Sequence, residues 1–276
     1  MSMFQHPRIP TEMFADPTAS LIFLGFTVAS FVGVLIWATK YFTRTQELLP
    51  IILLVGGALC GFLEPIGDIL GATFYPLNTP LLVFDALGRH IPLFVFIGES
   101  MFFASAVYIA YTFLRDGMAA PKLLAIIAAF SVFDAAMEMT CIHFNVMTYY
   151  GNNPVLILGL PLYSIVQNGA LAVVGGWIVL VLEPKLQGGR AWWLAPAIPI
   201  GFGAQAFVTT WPMYLGLNAD FSRSTMLWLG LLATALNVAL PLWCIYSPVA
   251  ARYRNIAASQ PDKRQRQASA ADVRVR

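Results

Sequence analysis

The chain has 276 residues, of which 58% are hydrophobic and only 11% are charged, and its mean hydropathy is +0.71. A soluble domain carries about 25% charged residues, so this composition excludes an ordinary soluble protein and predicts one that crosses a membrane several times. The formal net charge is only +2, and the placement of the basic residues is more informative than their number.

Seven apolar stretches follow one another along the chain, and each has the length of about 20 residues that a helix needs to cross a bilayer. They are residues 19–42, 50–75, 91–114, 122–146, 155–182, 191–215 and 224–248. We therefore predict an all-α bundle of seven transmembrane helices over residues 19–250. An N-terminal extracytoplasmic segment (1–18) precedes it and a basic, disordered tail (251–276) follows it.

Every second linker between the spans is basic, and this pattern predicts the orientation of the bundle. The basic linkers join the first span to the second, the third to the fourth and the fifth to the sixth, through Lys40, Arg44, Arg115, Lys122, Lys185 and Arg190. The tail is basic as well. Positive loops remain in the cytoplasm, so we predict the N-terminus outside and the C-terminus inside. This rule already accounts for the basic tail, and we expect no nucleic-acid partner.

Acidic residues in the apolar stretches are the strongest indication of function. Half of the chain's 14 acids lie in or beside these stretches: Glu64, Asp68, Asp85, Glu99, Asp134, Glu138 and Asp220. The predicted orientation places all seven toward the outer face. A carboxylate in hydrocarbon is costly, so such residues usually face a cavity and mark a functional site. The amides Gln167, Asn168, Gln205 and Asn237 add polar groups nearer the middle of the membrane. The sequence therefore predicts a polar chamber inside the bundle.

The histidines and the missing motifs argue against metal and cofactor chemistry. Asp134, Glu138 and His143 suggest a metal site at first sight, but zinc sites usually need more imidazole and the chain has only three histidines. No HxxxH or HExxH pattern occurs. The seventh span has no lysine, which excludes a retinal Schiff base. No Walker loop or GxGxxG pattern indicates a nucleotide site. We expect neither a metal ion nor a cofactor.

Two stretches carry a resemblance to a known family. Residues 59–76 read LCGFLEPIGDILGATFYP, with Glu64 after a small-residue and Cys stretch and an aromatic-Pro pair at the end. Residues 211–220 read WPMYLGLNAD, with Trp-Pro, Gly and Asp220. Both resemble the integral-membrane terpene cyclases of the paxilline and pyripyropene type. The chain departs from that family in that Pro65 follows Glu64 and no Trp precedes it. The family's late acid corresponds to Asp220 or, inside the last helix, to Asn237.

The resemblance implies a membrane-bound terpene cyclase that protonates an alkene or epoxide of a prenyl chain and starts a carbocation cascade without a cofactor. It implies that Glu64 is the proton donor, with Asp220 and Asp68 as assisting groups. The partners would be a lipophilic prenylated substrate and membrane lipid, in a plasma membrane or an endomembrane. The residues that we expect to bind the substrate are Glu99, Asp134, Glu138, Trp211 and Asn237.

Three other classes of function remain open. Intramembrane carboxylates also carry protons in transporters and channels, and a sterol or carotenoid isomerase or cyclase would use the same acid–base chemistry. A non-catalytic sensor is the third class. A cyclase predicts a cavity that opens toward lipid with Glu64 at its base, whereas a transporter predicts polar residues that continue to the cytoplasmic side.

Gly175 and Gly176 favour close helix packing, either within the protein or between copies.

Overall fold

The structure is a computed structural model that describes residues 7–259. Most of the described chain is helical: α1 (Pro17–Thr45), α2 (Leu49–Cys60), α3 (Glu64–Leu70), α4 (Leu93–Phe102), α5 (Tyr108–Arg115), α6 (Ala120–His143), α7 (Leu162–Leu182), α8 (Leu194–Leu217), α9 (Arg223–Tyr246) and α10 (Pro248–Ala258). Residues 251–258 of the predicted tail are thus helical, and residues 260–276 lie outside the described residues.

Six of these helical segments are long and apolar enough to cross a membrane. One of them joins α4 to α5 through a π-helical segment, Phe103–Val107. The short helices α2 and α3 form a further span if they are counted together, although the chain bends by 50° between them. The predicted helical architecture is confirmed, and six helices have the length and apolarity that the predicted spans require. A total of seven such segments depends on counting the α2–α3 pair as one.

The bend between α2 and α3 follows from the sequence GFLEP. Pro65 lies in the first turn of α3, where its missing N–H group costs no helical hydrogen bond. Farther along a continuous helix, the same ring would clash with a backbone carbonyl group. The helix therefore stops at Cys60 and begins again at Glu64. This places Glu64 at a helix start inside the bundle.

Helix α7 is the centre of the bundle and packs against α5, α6, α8 and α9, while α2 packs against α4 and α8. Its glycines allow the close approach. A Cβ atom on Gly176 would lie 2.7 Å from the backbone nitrogen of Tyr111, and one on Gly175 would lie 2.6 Å from a methyl group of Val107. The two glycines therefore serve packing within the chain.

Three short antiparallel sheets lie at one end of the bundle, which we call the hairpin end. Strands β2 (Leu82–Ala86) and β3 (Arg89–Pro92) form one hairpin, and β5 (Leu156–Ile157) and β6 (Leu160–Pro161) form another. Strand β1 (Thr73–Phe74) pairs with β4 (Thr148–Tyr149), with Thr73 opposite Tyr149. This last pair joins the loop after α3 to the loop after α6, and so fixes the two acid-bearing helices relative to each other.

Candidate functional site

Five of the seven predicted acids line a single cavity near the hairpin end, which we call the carboxyl chamber. Helix α3 provides Glu64 and Asp68, α4 provides Glu99, and α6 provides Asp134 and Glu138. The chamber has a volume of about 140 Å³. The acids on α3 and on α6 are each four residues apart, so each pair lies on one helix face. The remaining wall includes Tyr75, Phe102, Tyr149, Tyr163, Leu171 and Phe202.

The two acids of α6 are held by hydrogen bonds from neighbouring elements. The amide nitrogen of Asn168, on α7, donates to Oδ2 of Asp134 at 2.8 Å and to Oε1 of Glu138 at 3.0 Å. The hydroxyl of Tyr149 donates to Oε2 of Glu138 at 2.9 Å and lies 3.0 Å from Oγ of Ser164. A carboxylate that accepts several hydrogen bonds is stabilised in its charged form. These hydrogen bonds offset part of the cost of placing a charged carboxylate on α6 inside the bundle.

Tyr149 remains a hydrogen-bond donor over the physiological pH range. Burial raises the pKa of the Tyr149 phenol well above its usual value, and the charge of Glu138 raises it further. A tyrosine is neutral below its pKa, so the raised pKa keeps the proton on Tyr149. The residue lies on β4 in the loop between α6 and α7. None of the sequence patterns above includes Tyr149, and the β1–β4 pairing is what directs it into the chamber.

The acids on α3 and α4 lack such partners. No described side chain donates a hydrogen bond to Glu64 or to Glu99. Asp68 is 2% exposed, and its Oδ2 atom has no hydrogen-bond partner in the described part of the chain. A carboxyl group without donors is better accommodated as the neutral acid. The chamber thus combines hydrogen-bonded carboxyl groups on α6 with carboxyl groups without donors on α3 and α4.

The structure places the other predicted site residues outside the chamber. Asp220 is exposed in the turn between α8 and α9, and Trp211 is 44% exposed on α8. Asp85 is exposed on β2, where it lies 3.1 Å from Nδ1 of His90. His143 is exposed at the end of α6 and packs edge-on against Phe144. None of these side chains lines the chamber.

Asn237 lies behind the chamber wall and reaches it through a hydrogen-bond chain. It is fully buried on α9, and its amide nitrogen donates to the backbone oxygen of Ala233 at 3.0 Å and to Oγ1 of Thr210 at 3.1 Å. Thr210 in turn donates to Oε1 of Gln167 at 2.7 Å. The backbone oxygen of Ala233 can only accept a hydrogen bond, so the side-chain amide of Asn237 must turn its nitrogen toward it. The same nitrogen donates to Thr210, whose hydroxyl is then free to donate to Gln167. Gln167 lines the chamber, so Asn237 positions a wall residue.

The chamber continues sideways into an apolar cavity of about 150 Å³, which we call the inner groove. The two cavities share Tyr75, Glu99, Phe102, Asp134 and Glu138. The rest of the inner groove is mostly apolar and is formed by α1, α4 and α6, with Phe23, Phe26, Phe94, Val95, Met101, Met137 and Cys141. Carboxyl groups at the junction therefore face a polar space on one side and an apolar space on the other.

Across residues 7–259, no group of three or more His, Cys, Asp or Glu side chains is arranged to hold a metal ion. The five carboxyl groups surround a cavity without converging on one point. No family model, curated protein or solved structure matches this chain. The fold and the site themselves define the class: a helical bundle, with six helices long and apolar enough to cross a membrane, that encloses a carboxyl chamber beside an apolar groove.

Proposed function

We propose that the protein is a membrane enzyme that uses a protonated carboxyl group to cyclise or isomerise a prenyl chain, as the resemblance to membrane terpene cyclases implies. One observation carries the proposal: five carboxyl groups line a cavity that continues into an apolar groove. An apolar chain fits the groove, and an acid at its end can transfer a proton to it. No cofactor is needed, because substrate and product are isomers.

Such a reaction needs two proton transfers, one to the chain at the start and one from the last cation at the end. The acids on α3 suit the first transfer, and those on α6 suit the second. Glu64 lacks hydrogen-bond donors and lines the chamber but not the groove, so it lies at the base, where the end of a chain would arrive. Its O–H proton passes to a terminal alkene carbon or epoxide oxygen, and carbon–carbon bonds then form as the positive charge moves along the chain. Glu138 or Asp134 takes the proton that the last cation releases. Proton exchange among the acids restores Glu64.

The chamber wall also suits a carbocation. The rings of Tyr75, Phe102 and Phe202 line it, and aromatic ring faces stabilise a nearby positive charge. The carboxylates on α6 would add electrostatic stabilisation as the charge develops. The apolar walls of the adjoining inner groove limit the access of water, which would otherwise trap the cation as an alcohol.

Packing beyond the chamber favours an enzyme over a transporter or channel. Between the chamber and the basic linkers, the bundle is filled by a large apolar cluster that includes the fully buried Leu53, Phe103, Leu114, Leu123 and Leu180. The polar chain that begins at Gln167 ends in the middle of the bundle at Asn237 and Thr209. A transport path requires polar or hydrated space on both sides of a central site.

A product assay tests the proposal. Membranes carrying the wild-type chain, Glu64→Gln or the control Asp85→Asn are incubated with prenylated quinones, phenols and indoles and with their terminal epoxides, and isomeric products are resolved by mass spectrometry. Asp85 is the control because it is an exposed acid at the same end of the bundle. We expect a product of unchanged mass in the wild type and in Asp85→Asn, and a loss of at least about 100-fold in Glu64→Gln, since general acids contribute that much or more.

Two outcomes would contradict the proposal. If no substrate is converted by folded wild-type protein, acid-initiated prenyl chemistry is wrong for this chain, and proton flux in liposomes becomes the next measurement. If conversion survives in Glu64→Gln, the proton donor is another acid. Glu99 is then the first alternative, because it also lacks hydrogen-bond donors and lies at the junction with the groove.

A further inference from the structure

We infer that the substrate is an amphiphile that enters tail first from the lipid, through a groove between α1 and α6. The inference rests on the proposed function and specifies its substrate class. The polar head remains at the hairpin end, near the membrane surface, and the end of the apolar chain remote from the head reaches the acids.

The groove is a continuous series of cavities from the outside of the bundle to the chamber. An outer cavity of about 450 Å³ lies between α1 and α6. It shares Phe23, Phe26 and Met137 with the inner groove, and the inner groove shares Glu99 and Glu138 with the carboxyl chamber. Shared lining residues mean that the cavities adjoin, and only side chains such as Phe23, Phe26 and Met137 separate the outer cavity from the inner groove.

The separation of α1 from α6 explains the outer cavity. Helix α1 packs against α2 and α4, whereas the cavity occupies the space between α1 and α6. The two helices are joined at the hairpin end, where the backbone N–H of Asp16 donates to the carbonyl of Phe144 at 3.0 Å. This hydrogen bond closes the groove toward the hairpin end and leaves its side open toward lipid.

The outer cavity is lined mainly by apolar side chains, and its few polar residues lie toward the hairpin end. Asp16, Thr18 and Thr140 lie in its outermost part, and Ile22, Phe23 and Phe26 follow along α1. The eight helical steps from Thr18 to Phe26 correspond to about 12 Å of helix. Polar groups at the surface suit a polar head, and the apolar length below suits a linear chain. Because lipid tails are as apolar as the groove, burial alone gives little selectivity, and the reactive end of the chain must provide it.

Two glycines offer a matched pair of variants. Gly98 lines the inner groove, and a Cβ atom there would meet only Cγ2 of Thr27 at the ordinary distance of 3.9 Å. A valine side chain at this position would therefore project into the groove without forcing the backbone apart. Gly25 lies in α1, and a Cβ atom there meets nothing within 4 Å. Gly98→Val obstructs the groove, and Gly25→Val controls for a helical glycine-to-valine change.

Photo-crosslinking tests the access route without requiring turnover. The probes are prenylated phenols that carry a diazirine either at the far end of the chain or beside the phenol, incorporated into liposomes with the purified full-length protein. We expect the chain-end probe to label α4 and α6 around Met101 and Glu138, and the head-side probe to label residues 18–22 and Thr140. Gly98→Val should reduce chain-end labelling by about fivefold or more, because added atoms in a confined space are poorly tolerated. Gly25→Val should leave it unchanged.

Each result has a separate meaning for the groove and for the chemistry. Equal labelling of the lipid-facing surfaces of α8 and α9, or a reversed order of the two probes, overturns the inference. The inference is also overturned if both Gly98→Val and the smaller Gly98→Ala fold and neither changes the amount of chain-end labelling. Groove labelling without any product in the activity assay supports the groove and contradicts the proposed chemistry. Product formation with uniform labelling contradicts the groove alone.

Discussion

The phenol of Tyr149 donates a 2.9 Å hydrogen bond to Oε2 of Glu138 and so links a strand in a loop to an acid on a membrane helix. The contact depends on the pairing of β1 with β4, which holds Tyr149 over the end of α6. The chamber is therefore completed by a residue from outside the predicted spans. Removing this hydrogen bond separates its contribution from that of the acid itself.

Tyr149→Phe should lower conversion by about tenfold, since a hydrogen bond to a charged group contributes roughly 1.5–3 kcal/mol. The raised pKa keeps Tyr149 neutral, so the loss should be the same at about pH 6 and about pH 9, both below an unperturbed tyrosine pKa. Conversion assays at the two pH values measure this. Tyr246→Phe is the control, because Tyr246 is 62% exposed at the far end of α9. A loss that appears only at the higher pH would contradict the assignment.

Asn168→Leu should be more harmful than Tyr149→Phe. The amide of Asn168 donates hydrogen bonds to both Asp134 and Glu138. Its removal takes one donor from each carboxyl group and leaves the repulsion between their charges without compensation. We expect a loss of conversion of about 100-fold. Asn168→Gln, which retains the amide, should recover part of the activity. Equal activity in Asn168→Leu and wild type would show that this side of the chamber is not used.

For Asp220, the resemblance and the geometry lead to different predictions. The resemblance implies a catalytic Asp220, whereas the structure places it on an exposed turn outside the chamber. From the geometry we expect Asp220→Asn to change conversion by less than about twofold, because exposed substitutions away from a site have small effects. Asp68→Asn, which alters a buried chamber acid, is assayed beside it. A large loss in Asp220→Asn would require the turn to reach the substrate by a conformational change.

Asn237→Leu should destabilise the bundle. The change removes the donor to Thr210 and the acceptor of Thr209, which both become buried groups with fewer partners. We expect a loss of about 1–3 kcal/mol, the usual cost of unpaired buried polar groups, visible as a lower Tm in detergent. Asn255→Leu is the control, since Asn255 is exposed on α10. An unchanged Tm in Asn237→Leu would mean that the polar chain contributes nothing to stability.

Gly176→Leu should prevent folding. A Cβ atom at Gly176 would lie 2.7 Å from a backbone nitrogen of α5, and a backbone atom cannot move aside as a flexible side chain does. We expect a destabilisation of about 3 kcal/mol or more and little or no monodisperse protein in detergent. Gly25→Leu, in open space on α1, should behave as wild type. Normal yield of Gly176→Leu would show that α5 and α7 can separate without loss of the fold.

The sequence by itself determined the helical, membrane-spanning class and the set of acids from which the site is built. Both follow from local chemistry: apolar length sets the spans, and an acid in an apolar stretch must face a cavity or a partner. The four-residue spacings in α3 and α6 already place each pair of acids on one face. Pro65 likewise marks the bend at which Glu64 lies.

Only the tertiary structure decided which acids meet. Glu64, Asp68, Glu99, Asp134 and Glu138 line one chamber, while Asp220 and Asp85 lie outside it. The sequence places all seven toward the same face of the membrane, but a position along the chain does not fix the direction in which a side chain points. That direction depends on how α3, α4 and α6 pack around α7 and on the β1–β4 pairing. These contacts join residues far apart in the chain, so no local pattern could reveal them.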